Sequence, residues 1–77
     1  MSNKYDSLIV AIEAGANMAG GLKSGDQFIG AMDAASQLYC VGSKEYDCFI
    51  SGYIAALNTV FPNGIKCNVI NNQYFIN

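Results

Sequence analysis

Three apolar stretches recur at helical spacing along this chain, each set off by a glycine-bearing break. That pattern limits the fold more than any single motif does. Tyr5, Leu8, Ile9, Ile12, Ala16 and Ala19 share one face at a 3.6-residue period, the mark of an amphipathic helix. Asp6 and Ser7 stand near its start and Gly20-Gly21 at its end, as start and stop signals require. In "SGDQ", the Ser24 hydroxyl can accept from the amide of Gln27, a capping box. It would open a second helix carrying Phe28, Ile29, Met32, Ala35, Leu38 and Tyr39 and running to about Cys40, with Gly42 placed to stop it in the left-handed conformation. Ser43 can cap a third helix whose apolar face holds Tyr46, Phe49, Ile50, Tyr53, Ile54, Leu57 and Val60. Glu45 in its first turn suits the positive end of the helix dipole.

Beyond the turn signal "FPNG" (Phe61 to Gly64), Ile65, Cys67 and Val69 alternate as a strand would, and Asn71-Asn72 can turn a hairpin. A short terminal helical turn is the alternative. The expected fold is therefore all-α: one small three-helix domain over residues 1–77, with a helical hairpin and a short extended or hairpin C-terminal tail. Gly30-xxx-Ala34 and Gly52-xxx-Ala56 each place two small residues one turn apart on a helix face. Such faces let backbones approach closely, and packing is the expected use.

At 77 residues, such a domain buries only roughly 60–65% of its unfolded surface and needs support from a staple or a partner. Its composition, 52% hydrophobic, is that of a chain that forms a core. Four lysines, no arginine and a net charge of −2 exclude the clustered positive charge that nucleic acids or anionic lipid demand. The apolar run near the N-terminus extends only from Leu8 to Ile12 before Glu13, short of a signal peptide and far short of a membrane span. A helix of the folded domain is expected there instead, which favours a cytoplasmic protein.

Catalytic chemistry finds little to work with. There is no histidine for proton transfer near neutral pH, no arginine to clamp an anion and no nucleophile motif. Asp26 and Asp33, seven apart, read as a solvated helix face, and "AGANMAGG" lacks the spacing and lysine of a phosphate loop. Cys40, Cys48 and Cys67 stand eight and nineteen residues apart with no histidine to complete a zinc set, and no C-x-x-C is present. No metal, no cofactor and no enzymatic activity are expected. Cys40 and Cys48 flank the break between the second and third helices. In an antiparallel hairpin they could approach within the roughly 4.4–6.8 Å that a disulfide spans. The other reading is that all three cysteines are reduced, small apolar residues. Binding is what remains. Tyr39, Tyr46, Tyr53, Tyr74 and Phe75 exceed what three helices can bury, so an aromatic patch facing a protein partner is expected among them. Asn68, Asn71, Asn72 and Gln73 would offer uncharged hydrogen bonding beside it.

The stretch "LYCVGSKEYDCFISGYIAAL" (Leu38 to Leu57) resembles the Rap1a/Tai-type immunity proteins of type VI secretion, with a helix ending in Cys, a short polar loop, then Cys and a Tyr-Ile element with small residues. "SGDQFI" (Ser24 to Ile29) and "CNVINNQ" (Cys67 to Gln73) resemble two further segments of that family, so the likeness spans roughly residues 24–77. It implies a small helical domain, often dimeric, with Cys40 and Cys48 bridged across the helical hairpin. Its implied function is to bind and neutralise a cell-wall-degrading effector in the periplasm. The expected function is thus non-catalytic inhibition by occluding another protein. A phage-type inhibitor of a host or defence enzyme and a self-complementary assembly subunit are the alternatives.

Overall fold

The computed structural model describes residues 5–77. Three helices, α1 (Asp6–Gly20), α2 (Ala31–Leu38) and α3 (Lys44–Val60), precede two strands, β1 (Cys67–Ile70) and β2 (Gln73–Ile76). α1 and α3 lie side by side and run in the same direction. Near their starts the Ser7 hydroxyl donates to Glu45 at 3.4 Å, and farther along Gly15 meets Phe49 and Tyr53. The chain between them, including α2, runs back to make that parallel pairing possible.

The seam between α1 and α3 is made of small residues. α1 buries Ala11, Gly15 and Ala19, one per turn, and α3 presents Gly52. A Cβ on Gly15 would lie 2.9 Å from the Tyr53 amide nitrogen and closer still to the Phe49 carbonyl oxygen. One on Gly52 would lie 2.9 Å from the Ile12 carbonyl carbon and closer still to its oxygen. Backbone therefore touches backbone, and only hydrogen side chains fit. Of the two expected small-residue faces, Gly52-xxx-Ala56 forms this seam. Gly30 is instead the residue that precedes α2, with open space beside it, although Ala34 is buried. Around the seam sits a compact core of Ala11, Ala19, Ala34, Ala35, Tyr46, Phe49 and Tyr53.

α1 does not face inward as its largest apolar residues suggest. Ile9 and Ile12 are exposed because the close approach of α3 needs the smallest side chains, which turns the Ala11–Gly15–Ala19 face inward. α2 is also shorter than expected. The Ser24–Gln27 capping box does not form. The Asp26 carboxylate instead accepts from the Lys23 amide at 2.8 Å, and Gly25 takes φ +92°, making a turn. Phe28 and Ile29 are extended, and the helix opens at Ala31. It ends at Leu38, ahead of Gly42, whose φ of +87° belongs to the loop before α3. Ser43 does cap α3, its hydroxyl accepting from the Tyr46 amide at 3.1 Å.

The all-α expectation is overturned at the C-terminus. β1 and β2 pair antiparallel, Cys67 opposite Ile76 through Ile70 opposite Gln73, so the fold is three helices with a two-stranded sheet. Asn71 and Asn72 take φ +52° and +65°, the conformation of a two-residue hairpin turn in which asparagine is favoured. The segment before α2 lines the far side of β2. The Phe28 amide donates to the Tyr74 carbonyl, Ile76 to Asp26 and Gly25 to Ile76, each at 2.7 Å. These bonds compete with helix formation at Phe28, which is why the helical period is not obeyed there.

Gly15→Ala and Gly52→Ala are each expected to destabilise by more than the ~1–3 kcal/mol of ordinary overpacking, because backbone and not a flexible side chain stands in the way. Gly20→Ala, at a helix position with open space around it, is expected to stabilise by about 0.5–1 kcal/mol. Thermal melts check both signs, since roughly 4–8 °C corresponds to 1 kcal/mol in a domain of this size.

Candidate partner-binding surface

The five aromatic residues proposed for a partner interface separate into three groups. Tyr46 and Tyr53 are buried in the core, which removes them from any surface. Tyr53 and Phe49 are the largest fully buried side chains, with ring centroids 6.1 Å apart, and Tyr39 tilts against Phe49 at 6.0 Å. Tyr39 and Phe75 are half-buried, and Tyr74 alone of the five is exposed. The single aromatic patch expected from the sequence is therefore not assembled. Tyr46 and Tyr53 project from the α3 face that packs toward the other helices, and Tyr74 from a strand on the far side of the segment 25–28.

Tyr53 does more than fill space. Its hydroxyl donates to the Ile29 carbonyl, tying the extended segment before α2 to α3. Burial pushes its ionisation above the ordinary value of 10.0 by penalising the phenolate. That segment in turn pairs with β2, so Tyr53 indirectly sets where the hairpin stands.

The cysteines are free. Cys40 and Cys67 are exposed and Cys48 is partly buried. The expected Cys40–Cys48 bridge is not formed: α2 ends two residues before Cys40, and the residue after that end, Tyr39, is extended, so Cys40 lies in a loop and not on the last turn of a helical hairpin. Asp26 sits in a turn and Asp33 in the first turn of α2, so they do not share a helix face. No group of three or more His, Cys, Asp or Glu able to hold a metal occurs among the described residues, and no described helix is long and apolar enough to cross a membrane.

Two features escape sequence reasoning. The first is an open cleft of about 680 Å3 between the start of α2 and the hairpin tip, bordered by Gln27, Phe28, Asp33, Gln37, Asn72 and Tyr74 among others. The second is an apolar stripe on the outer flank of α1. Ile9 is 51% exposed and Ile12 41%, with Tyr5 in line at helical spacing. A signal for the stripe was present in the spacing of Ala11, Gly15 and Ala19, which marks the buried face and leaves the isoleucines outside.

Comparison with models of known protein families, with curated proteins and with solved structures finds no match to this chain.

Tyr53→Phe is expected to cost about 1 kcal/mol, the usual penalty for losing a part-buried hydrogen bond. The tyrosine's raised folded-state ionisation also fixes a sign. Its contribution is fully present below pH 10 and is lost as pH rises through the folded value. Wild-type protein should therefore lose stability above pH 10 more steeply than the Tyr53→Phe variant, which denaturant titrations at successive pH values would reveal.

Proposed function

We propose that this chain is a non-catalytic protein-binding domain that inhibits its partner by occlusion, with the outer flank of α1 as the contact. The observation that carries this reading is the inversion of α1, which buries alanines and a glycine and leaves Ile9 and Ile12 outside. Tyr5, Ile9 and Ile12 at i, i+4 and i+7 match the anchor spacing of an amphipathic helix seated in a partner's groove. Val10 on the same helix is also exposed. In its narrower form the partner is a cell-wall-degrading effector neutralised by an immunity-type protein. That form rests on the resemblance of the segment Leu38 to Leu57.

A second reading, a small inhibitor of a host or defence enzyme in a reducing compartment, is favoured by the three free cysteines. The compartment separates the two readings: the immunity form works in the oxidising periplasm, the second inside the cell.

Capture of a partner enzyme from the native host, followed by inhibition assays with the purified pair, tests the proposal. Ile9→Lys and Ile12→Lys are each expected to weaken binding by roughly 30-fold or more, as loss of an interface anchor does. Circular dichroism should stay close to wild type and the melting temperature should fall only slightly, because Ile9 is already 51% and Ile12 41% exposed. Undiminished inhibition by the double variant would overturn the assignment of the contact to α1. Titration without reductant should find three reactive thiols per chain, with Cys40 and Cys67 modified before Cys48. A count of one would restore the bridged, periplasmic form.

A further inference from the structure

The hairpin leaves one sheet edge open. Because Tyr74 and Ile76 turn their backbone groups toward residues 25–28, their partners across the hairpin, Val69 and Cys67, form its non-hydrogen-bonded pairs. The amides and carbonyls of Cys67 and Val69 therefore point away from β2, and no strand covers that edge among the described residues. The adjoining bond from the Asn77 amide to the Lys66 carbonyl, 2.7 Å long, fits the same alternation.

Natural edge strands are usually guarded by lysine, proline, a bulge or a covering element. β1 itself carries none of these, and Lys66 stands just before its start. Residues 67–77 contain no charged side chain and no proline, and β1 pairs regularly along its length. Val69 is 60% exposed, Ile70 54% and Tyr74 55%. The hairpin also packs little against the helices and is held chiefly through residues 25–28. So short a sheet with apolar side chains exposed on both faces gains from additional strands.

We propose that β1 pairs antiparallel with β1 of a second copy of this chain, about a two-fold axis at Asn68. Absence of charge is what selects a second copy as the occupant. A two-fold brings identical segments together, so a charge on the axis would face its own copy and one beside it would approach its copy closely. This register also keeps both outward-pointing residues of each strand in use. Cys67 and Val69 of one copy exchange hydrogen bonds with Val69 and Cys67 of the other, while Asn68 faces Asn68. Centring on Cys67 would draw in Ile65, outside the strand, and centring on Val69 would draw in Asn71, already committed to the turn. Lys66 then lies opposite Ile70 of the second copy and not opposite another lysine. The two hairpins and their flanking segments join into one continuous sheet. This contact is separate from the α1 flank and stands whether or not that flank binds an enzyme.

The contact is small, so the dimer is expected to form reversibly between micromolar and millimolar protein, seen as a doubling of mass in sedimentation or light scattering. Amide exchange by NMR reads the register in the wild-type chain. The Cys67 and Val69 amides should become protected only at high concentration, whereas Ile70, bonded within the hairpin, is protected throughout. Val69→Pro removes an outward donor without touching a hairpin bond, and is expected to abolish the dimer while keeping the helical signal. Asn68→Cys, with Cys40, Cys48 and Cys67 replaced by serine, places the new thiols in a non-hydrogen-bonded pair about 4.5 Å apart at Cα, within disulfide reach. A cross-linked dimer should form on mild oxidation. A chain that stays monomeric at millimolar concentration overturns the proposal. So does a dimer that survives Val69→Pro, or one that leaves the Cys67 and Val69 amides unprotected.

Discussion

Backbone contact between α1 and α3 is the constraint on which the rest of this molecule depends. Among the described residues, the large side chains that are fully buried are Phe49 and Tyr53. Most other core positions are alanines, whose burial contributes little hydrophobic free energy each. What makes so lean a core hold together is proximity. With Gly15 and Gly52 in the seam, the helices approach until main-chain atoms supply the dispersion contacts that larger side chains supply elsewhere. The same geometry fixes the rotation of α1 about its axis and so decides which residues reach the outside.

Tyr53 carries the organisation outward from that seam. Its ring stacks near Phe49 and its hydroxyl holds the Ile29 carbonyl. Phe28 and Ile29 are thereby held extended, and residues 25–28 lend their backbone to β2. One buried side chain thus couples the helical layer to the hairpin, which makes only slight contact with the helices on its own.

Much of this was legible in the sequence, and the failures share a physical cause. The helical period marked α1 and α3, Ser43 announced itself as a cap, and Gly52-xxx-Ala56 pointed to the seam. Hydrophobic periodicity, however, weights large side chains. It placed Ile9 and Ile12 inward, whereas close approach needs Ala11, Gly15 and Ala19 there. Phe28 and Ile29 match the helical period, but Phe28 is captured by a hydrogen bond to β2 and Ile29 by the Tyr53 hydroxyl, partners remote in sequence that local pattern does not see. The alternation through Cys67 and Val69 and the Asn71-Asn72 pair were readable as a hairpin. Three helical stretches beside one short hairpin nonetheless suggest an all-α class, which the paired strands overturn. Of the aromatics expected at an interface, Tyr46 and Tyr53 are needed by the core, while the exposed aliphatic residues stand on α1.

The parallel pairing of α1 and α3 also bears on how the chain reaches this state. Gly15 and Gly52 are separated by nearly half the sequence, so the decisive contact is remote along the chain even though the molecule is small and mostly helical. Three-helix proteins commonly fold fast because sequence neighbours pack on one another. Here α1 gains its main partner only after the intervening chain has closed on itself, with the entropy of that closure already lost. Until then its small-residue face and its isoleucines are equally exposed. The seam that stabilises the finished molecule is therefore also a long-range contact, made against the entropy of closing the chain between its two glycines.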